Sequence, residues 1–335
     1  MRKYLRDSVG QWPNHLAIGY AVGGYALALY LITRVGNPLA TISGTLLLAH
    51  SLVIAGYLLH DAAHNAIFRD TANNARLGKL LNWLVGGSYN DYESIRHKHF
   101  RHHADKADVV AFDHARWLQQ RPHLLKAVSV LEFFYIPAYD LHMHALTLAL
   151  PFSMAQRRHR RGKVVMIVCA RTAQFGVLAW LSPWALLYYA IAYMLMLHVF
   201  RFMDAFQHTY EVFETLEQKP GAEARQFDRA YEDGNTFSNL HSEAYPWLNL
   251  LTLNFAYHNA HHLKPFAPWY SLPAIHAEHY GEANAVVLPL RNQLSAYHRF
   301  RLRRITNAAD THPGEGPERG REFVGVLGVS FLTAH

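Results

Sequence analysis

The stretch Leu39–His64, LATISGTLLLAHSLVIAGYLLHDAAH, is an apolar run that leads straight into two histidines four residues apart. As a helix, its Leu39–Leu59 part is about 30 Å long, the thickness of a bilayer's hydrocarbon core. Residues at i and i+4 share a helix face, so His60 and His64 would point to the same place at the end of a membrane span. The preceding run, His15–Val35, carries no charge before Arg34, and only Gly36, Asn37 and Pro38 separate the two. They read as a helical hairpin. A second pair, Val164–Leu181 and Trp184–Met203, is joined by Ser182 and Pro183.

The composition agrees: 51% of the 335 residues are hydrophobic and only 17% charged. We therefore expect an all-α integral membrane protein with four transmembrane helices, about 15–35, 39–59, 164–181 and 184–203. Arg171 interrupts the third run and needs a partner or an aqueous pocket at mid-span. The single cysteine, Cys169, excludes an internal disulfide and an iron–sulfur cluster held by this chain alone, and reads as a core residue of span three. The first run is too long, and lacks the small-residue cleavage site, for a secretory signal.

Lys and Arg gather in Arg2, Lys3 and Arg6, in QRRHRRGK (156–163), and in Arg299, Arg301, Arg303 and Arg304. With two hairpins all three groups fall on one side, which the positive-inside rule makes cytoplasmic: the inner membrane, if the cell is bacterial. The formal charge of +7 suits an anionic leaflet, and no nucleic-acid recognition motif is present. Residues 1–14 are expected as a cytosolic segment, 15–305 as the membrane domain with a cytosolic helical cap (60–163 and 204–305), and 306–335 as a tail with little order. Within the cap, Leu124–Phe152 reads as an interfacial helix pair and the acidic stretch Tyr210–Asn235 as a water-exposed insertion.

Two further histidine clusters lie in that cap: HFRHH (His99, His102, His103) and HNAHH (His258, His261, His262). With 24 histidines in the chain, HxxHH should arise by chance about 0.1 times, so two copies are not background. Three imidazoles at i, i+3 and i+4 aim at one point. Eight such ligands exceed what one tetrahedral zinc needs and suit a two-metal, redox-active site better. His208, in DAFQH with Asp204 one turn earlier, is a ninth candidate, with His241 and His198 as alternatives and an ordinary Asp204–His208 hydrogen bond as the plainer reading. Asp61, Asp204 and Asn259 are candidates to orient the ligands from behind. Arg96, Lys98 and Arg101 form a basic face that would meet a carrier's phosphates or simply solvent and lipid. Histidines 15, 50, 114, 123, 142, 144, 276 and 279 are expected to make ordinary hydrogen bonds.

HDAAH, HFRHH and HNAHH, in this order and placed around two hairpins, resemble the three histidine boxes of the membrane fatty acid desaturase superfamily over about residues 10 to 300. HNAHH followed by LKPFAPWYSLP is similar to its bacterial acyl desaturase branch. The resemblance implies a di-iron centre held by His60, His64, His99, His102, His103, His258, His261 and His262, with His208 matching the additional histidine some members place at the end of span four. It further implies O2 as co-substrate, an acyl lipid, acyl-CoA or acyl-carrier-protein as substrate, and electrons from an external donor such as ferredoxin or a cytochrome b5 system. RHKHFRHH departs from the pattern, since His97 allows a shifted register in which it would bind. The boxes are shared by di-iron hydroxylases and ketolases of alkanes, fatty acids and carotenoids. A membrane zinc-dependent lipid amidase and a non-catalytic metal carrier are readings from other classes, the carrier disfavoured by spans one and two, which are nearly free of charge.

Overall fold

The computed structural model describes residues 12–110, 112–210, 213–216, 228–281, 286–306 and 312–327. Its first hairpin is α1 (Trp12–Arg34) and α2 (Pro38–Ala63). Asn37 starts α2 by accepting a hydrogen bond from the Ala40 N–H at 3.0 Å, and Pro38 occupies the first turn, where its missing N–H costs nothing. Among the described residues, four helices are long and apolar enough to cross a membrane, and α2 is the most buried of them. It is the central post. Gly56 lets the helix that carries Phe200 approach it, since a Cβ there would collide with the Phe200 ring.

Between the hairpins lie α3 (Thr71–Leu84), α4 (Tyr92–Asp105), the short strand β1 (Asp108–Val110), α5 (His114–Gln119), α6 (Pro122–Phe133) and α7 (Ala138–Ser153). The second hairpin is α8 (Arg161–Leu181) and α9 (Pro183–Ala205). Then come β2 (Phe213–Thr215), α10 (Arg229–Gly234), α11 (His258–Leu263), α12 (Leu272–Tyr280), α13 (Leu290–Arg299) and α14 (Arg303–Thr306). The two strands pair in parallel, Asp108 opposite Phe213; the other named elements are all helices. The chain is thus an all-α membrane protein with four candidate transmembrane helices in two hairpins. With 12 and 16 residues, α6 and α7 are too short to cross.

Arg171 has the partners that its depth demands. Its guanidinium donates to the Trp83 carbonyl and, at 2.9 Å, to Gln174 Oε1, and it stacks 4.1 Å over the Trp83 ring. Cys169, expected in the core of span three, is instead exposed: α8 buries only Val164, Ile167 and Leu178, and Cys169 lies off that narrow stripe.

The tail also departs from expectation. THPGEGPERG has the composition of a loop, but just beyond it Phe323 and Val324 are buried against Phe206, Leu288, Ala296 and Phe300. Val326 N–H donates to the Ala205 carbonyl at 3.1 Å and Arg304 Nε to the Val324 carbonyl at 2.6 Å, so residues 320–326 close over the end of α9. Arg2, Lys3 and Arg6 lie outside the described residues.

A buried ion cluster ties α9 to the α6–α7 pair. Arg201 donates to Glu132 Oε2 at 2.5 Å and Oε1 at 3.0 Å, and to Asp140 Oδ2. Both carboxylates and the guanidinium are almost wholly withdrawn from solvent. Removing the cation leaves two desolvated negative charges, so Arg201→Met should lower stability by about 3 to 5 kcal/mol, read as a drop in unfolding temperature in detergent; an unchanged transition would show that the cluster does not hold the helices.

Candidate metal centre

The helical spacing of the histidines does what periodicity requires. His99 and His103 project from one face of α4, with His102 beside them; α11 carries His258, His261 and His262, all buried. His60 sits in the last turn of α2, and His64 is its C-terminal cap. Ligand nitrogens of His60, His64, His99, His103 and His261 lie within 4.8 Å of one another, and so do those of His102, His208, His258 and His262. The nine histidines singled out as candidate ligands therefore divide five and four. The two groups abut, with the His103 and His262 rings 4.3 Å apart.

Several Nε2 atoms face each other nearly nose to nose. His103 Nε2 lies 3.1 Å from both His99 Nε2 and His261 Nε2, and His208 Nε2 lies 3.1 Å from His102 Nε2 and 2.8 Å from His258 Nε2. Metal–imidazole bonds of about 2.0–2.1 Å at tetrahedral or octahedral angles place ligand nitrogens roughly 3 Å apart, so these separations are compatible with nitrogens around an ion. The buried atoms with no hydrogen-bond partner tell the same story: both ring nitrogens of His64, and His262 Nε2. Orphans of this kind cost about 1–3 kcal/mol each unless something binds them. The donor set fits a metal pair.

Burial, reinforced by neighbouring imidazoles, holds His64, His99, His103, His208, His258, His261 and His262 well below the ordinary histidine value, and burial brings His102 down to about 4. The rings are neutral near pH 7, each with a lone pair for a cation. Two are aimed from behind. His102 Nδ1 donates to the Ala107 carbonyl at 2.8 Å, and His262 Nδ1 to Glu232 Oε1 at 3.0 Å, which in each case leaves Nε2 to the centre.

Glu232 was not among the candidate residues. It belongs to the stretch expected as a water-exposed insertion, yet it is buried, as is Tyr210, whose ring stacks on His208 with centroids 4.4 Å apart. Nothing in the sequence marks Glu232 among the seven acids between 211 and 233, because its partner lies 30 residues on. Its helix is placed by Asp228, which accepts from the Tyr231 N–H at 2.8 Å.

Other candidates fall elsewhere. His97 is exposed on α4, about 200° around the helix from His99, so the shifted register is set aside. The His241 ring is spent on the Thr252 hydroxyl at 2.9 Å, and His198 on Tyr297 and the Tyr135 carbonyl. Asp61 meets His60 Nδ1 at 3.4 Å and the Trp269 N–H at 3.1 Å. Asn259 holds the backbone, donating to the Thr236 carbonyl at 2.6 Å and accepting from Ser238 Oγ at 2.8 Å. Asp204 makes no hydrogen bond to His208, which turns to His102 and His258; instead it lines a cavity of about 60 Å³ beside the histidines, with Lys98, Asp108 and Gln207. The supposed basic face is therefore dismantled. Lys98 is buried in that cavity, where desolvation against the pull of Asp204 and Asp108 brings it down to about 7; Arg96 caps the Ala63 carbonyl at 2.9 Å, and Arg101 pairs with Asp105 at 2.7 Å.

Because folding depresses these imidazole pKa values, the unfolded chain binds more protons below about pH 6.5, and the stability present above that value is lost as pH falls. Metal-free protein should thus show an unfolding temperature that is flat from about pH 8 to 7 and declines from about 6.5 toward 5. A flat profile down to about pH 5 would contradict neutral, buried rings.

Comparison with known proteins adds two findings. The profile of the fatty acid desaturase family matches residues 36–293, from the turn before α2 into α13. A protein of Bacillus subtilis (strain 168) named fatty acid desaturase is 24% identical over 282 residues, which cover 78% of this chain and 76% of that one.

Proposed function

The chain belongs to the fatty acid desaturase family, and on that premise we propose that it is an O2-dependent di-iron enzyme that introduces a C=C bond into a fatty acyl chain. The observation that carries this reading is the five-and-four division of convergent histidine nitrogens, all from buried residues except the half-buried His102 and His103. One zinc would use three or four of them; two irons use nine.

His60, His64, His99, His103 and His261 would hold one ion and His102, His208, His258 and His262 the other. The bound pair supplies O2 reduction: a –CH2–CH2– unit gives up two hydrogens, an external donor gives two electrons, the medium gives two protons, and O2 leaves as two waters. The chain's own part is to hold nine neutral imidazoles out of water, so that cation and O2 meet nitrogen ligands rather than solvent. Glu232 fixes His262 with its proton on Nδ1, and the Ala107 carbonyl does the same for His102. The cavity beside the rings is walled mainly by Tyr57, Val109, Phe200 and Phe255, but Lys98, Asp108 and Asp204 reach into it and give ordered water the polar partners it needs. The basic segment 156–163, at the same end of the spans as the histidines, supports a site facing the cytoplasm.

Purified protein should carry two irons per chain by elemental analysis. A bacterial host expressing it with a ferredoxin reductase system should accumulate unsaturated acyl chains only when O2 is present. His64→Ala and His261→Ala should abolish both iron and product. One zinc per chain with O2-independent turnover would overturn the proposal, and hydroxylated products would redirect it to the hydroxylase branch. For Glu232, iron binding to the metal-free chain is the measurement: Glu232→Ala should weaken it about 10- to 100-fold, and Glu232→Gln, which still accepts from Nδ1, should lose less. Equal affinity of all three proteins would remove Glu232 from the site.

A further inference from the structure

Ala244–Leu263 is a 20-residue stretch with no Asp, Glu, Lys or Arg, yet it is no membrane-spanning helix. Its first part is a 3-10 turn, Pro246–Thr252, and that turn exposes Tyr245, Trp247, Leu250 and Leu251, the tryptophan at 65%. In water such a patch would be a liability.

The turn's depth is marked by His50. The Leu251 carbonyl accepts from His50 Nε2 at 3.1 Å, while His50 Nδ1 accepts from the Tyr20 hydroxyl on α1 at 2.5 Å. His50 precedes His60 by ten residues of the same helix, so Leu251 lies about 15 Å down the spans from the histidine end. Leu16, Tyr20 and Leu46 of the first hairpin are exposed as well, and the turn is tied to that hairpin through His50 and Tyr20.

Irregular backbone survives at such depth only when its polar groups are satisfied within the protein, and here they are. Buried Asn249 donates to the Ser242 and Pro246 carbonyls at 2.9 and 3.1 Å and accepts from the His241 N–H at 2.8 Å. Leu253 and Asn254 N–H groups close back on the Leu250 and Asn249 carbonyls at 3.0 and 2.9 Å. An uncharged segment whose backbone is non-helical and self-satisfied until α11 begins at His258 has the properties of a re-entrant element.

We infer that residues 244–252 form a re-entrant wedge whose Tyr245, Trp247, Leu250 and Leu251 lie against lipid acyl chains beside the first hairpin. The wedge leads directly to the third histidine box. Phe255, three residues beyond it, packs on Tyr57 and His60, with ring centroids 4.7 and 4.8 Å away, so lipid contact on one side of the segment is braced against the proposed metal site on the other. The inference rests on the membrane fold and not on iron or turnover.

The test uses the full chain with Cys169→Ser, reconstituted in phosphatidylcholine–phosphatidylglycerol vesicles and spin-labelled at Leu250→Cys. References are Val177→Cys on the outer face of α8 and Glu318→Cys on the exposed tail. The label at 250 should collide freely with O2 and lose collision with a water-soluble nickel chelate, as at 177 and opposite to 318. Nickel access at the level of 318 overturns the inference, because the patch would then face water. Low access to both reagents overturns it as well, because protein would then cover the patch. If Leu250→Cys does not reconstitute, Trp247→Cys gives the same reading.

Discussion

Nine neutral imidazoles crowded into a dry volume are the constraint on which the rest of this molecule depends. Desolvation keeps the rings uncharged, both ring nitrogens of His64 and Nε2 of His262 are buried with no hydrogen-bond partner, and several ring nitrogens approach to about 3 Å. Such an arrangement is expensive in isolation. It becomes favourable when cations take the lone pairs, which is why the folded chain and the proposed iron pair are best regarded as one thermodynamic unit.

Much of the remaining structure holds those rings against their mutual crowding. The central α2 delivers His60 and His64, and the close approach at Gly56 brings α9, and with it His208, alongside. Arg201, gripping Glu132 and Asp140, sets the α6–α7 pair against the same helix. Residues 320–326 close over the end of α9 from outside. The third box is shaped on both flanks, by Asn259 gripping the 236–238 backbone and by the 244–252 wedge behind Phe255.

Two kinds of information ran differently through the sequence. Local periodicity was transparent: apolar runs of bilayer length, proline and asparagine at the hairpin turns, and histidines at i, i+3 and i+4 identified the spans and the boxes, and spacing alone grouped eight of the nine convergent rings. Burial of polar residues was opaque. Lys98 looks like one more cation in RHKHFRHH, Glu232 one acid among several, and residues 244–252 an unremarkable link, because nothing in a neighbour's identity reveals what lies across about 30 or 200 positions. The misplacement of Cys169 has the same origin. A span that meets lipid over most of its surface is as apolar outside as inside, so hydropathy cannot say which side is core.

What the sequence by itself determined was the architecture and the histidines that would converge, since both are written in short-range repeats matched to helix pitch and bilayer thickness. Tertiary structure alone decided how the histidines divide into two groups, which carboxylate stands behind His262, and that His97 faces away. Those outcomes depend on which helix faces meet in space, and contacts between distant segments leave no periodic trace in the chain that makes them.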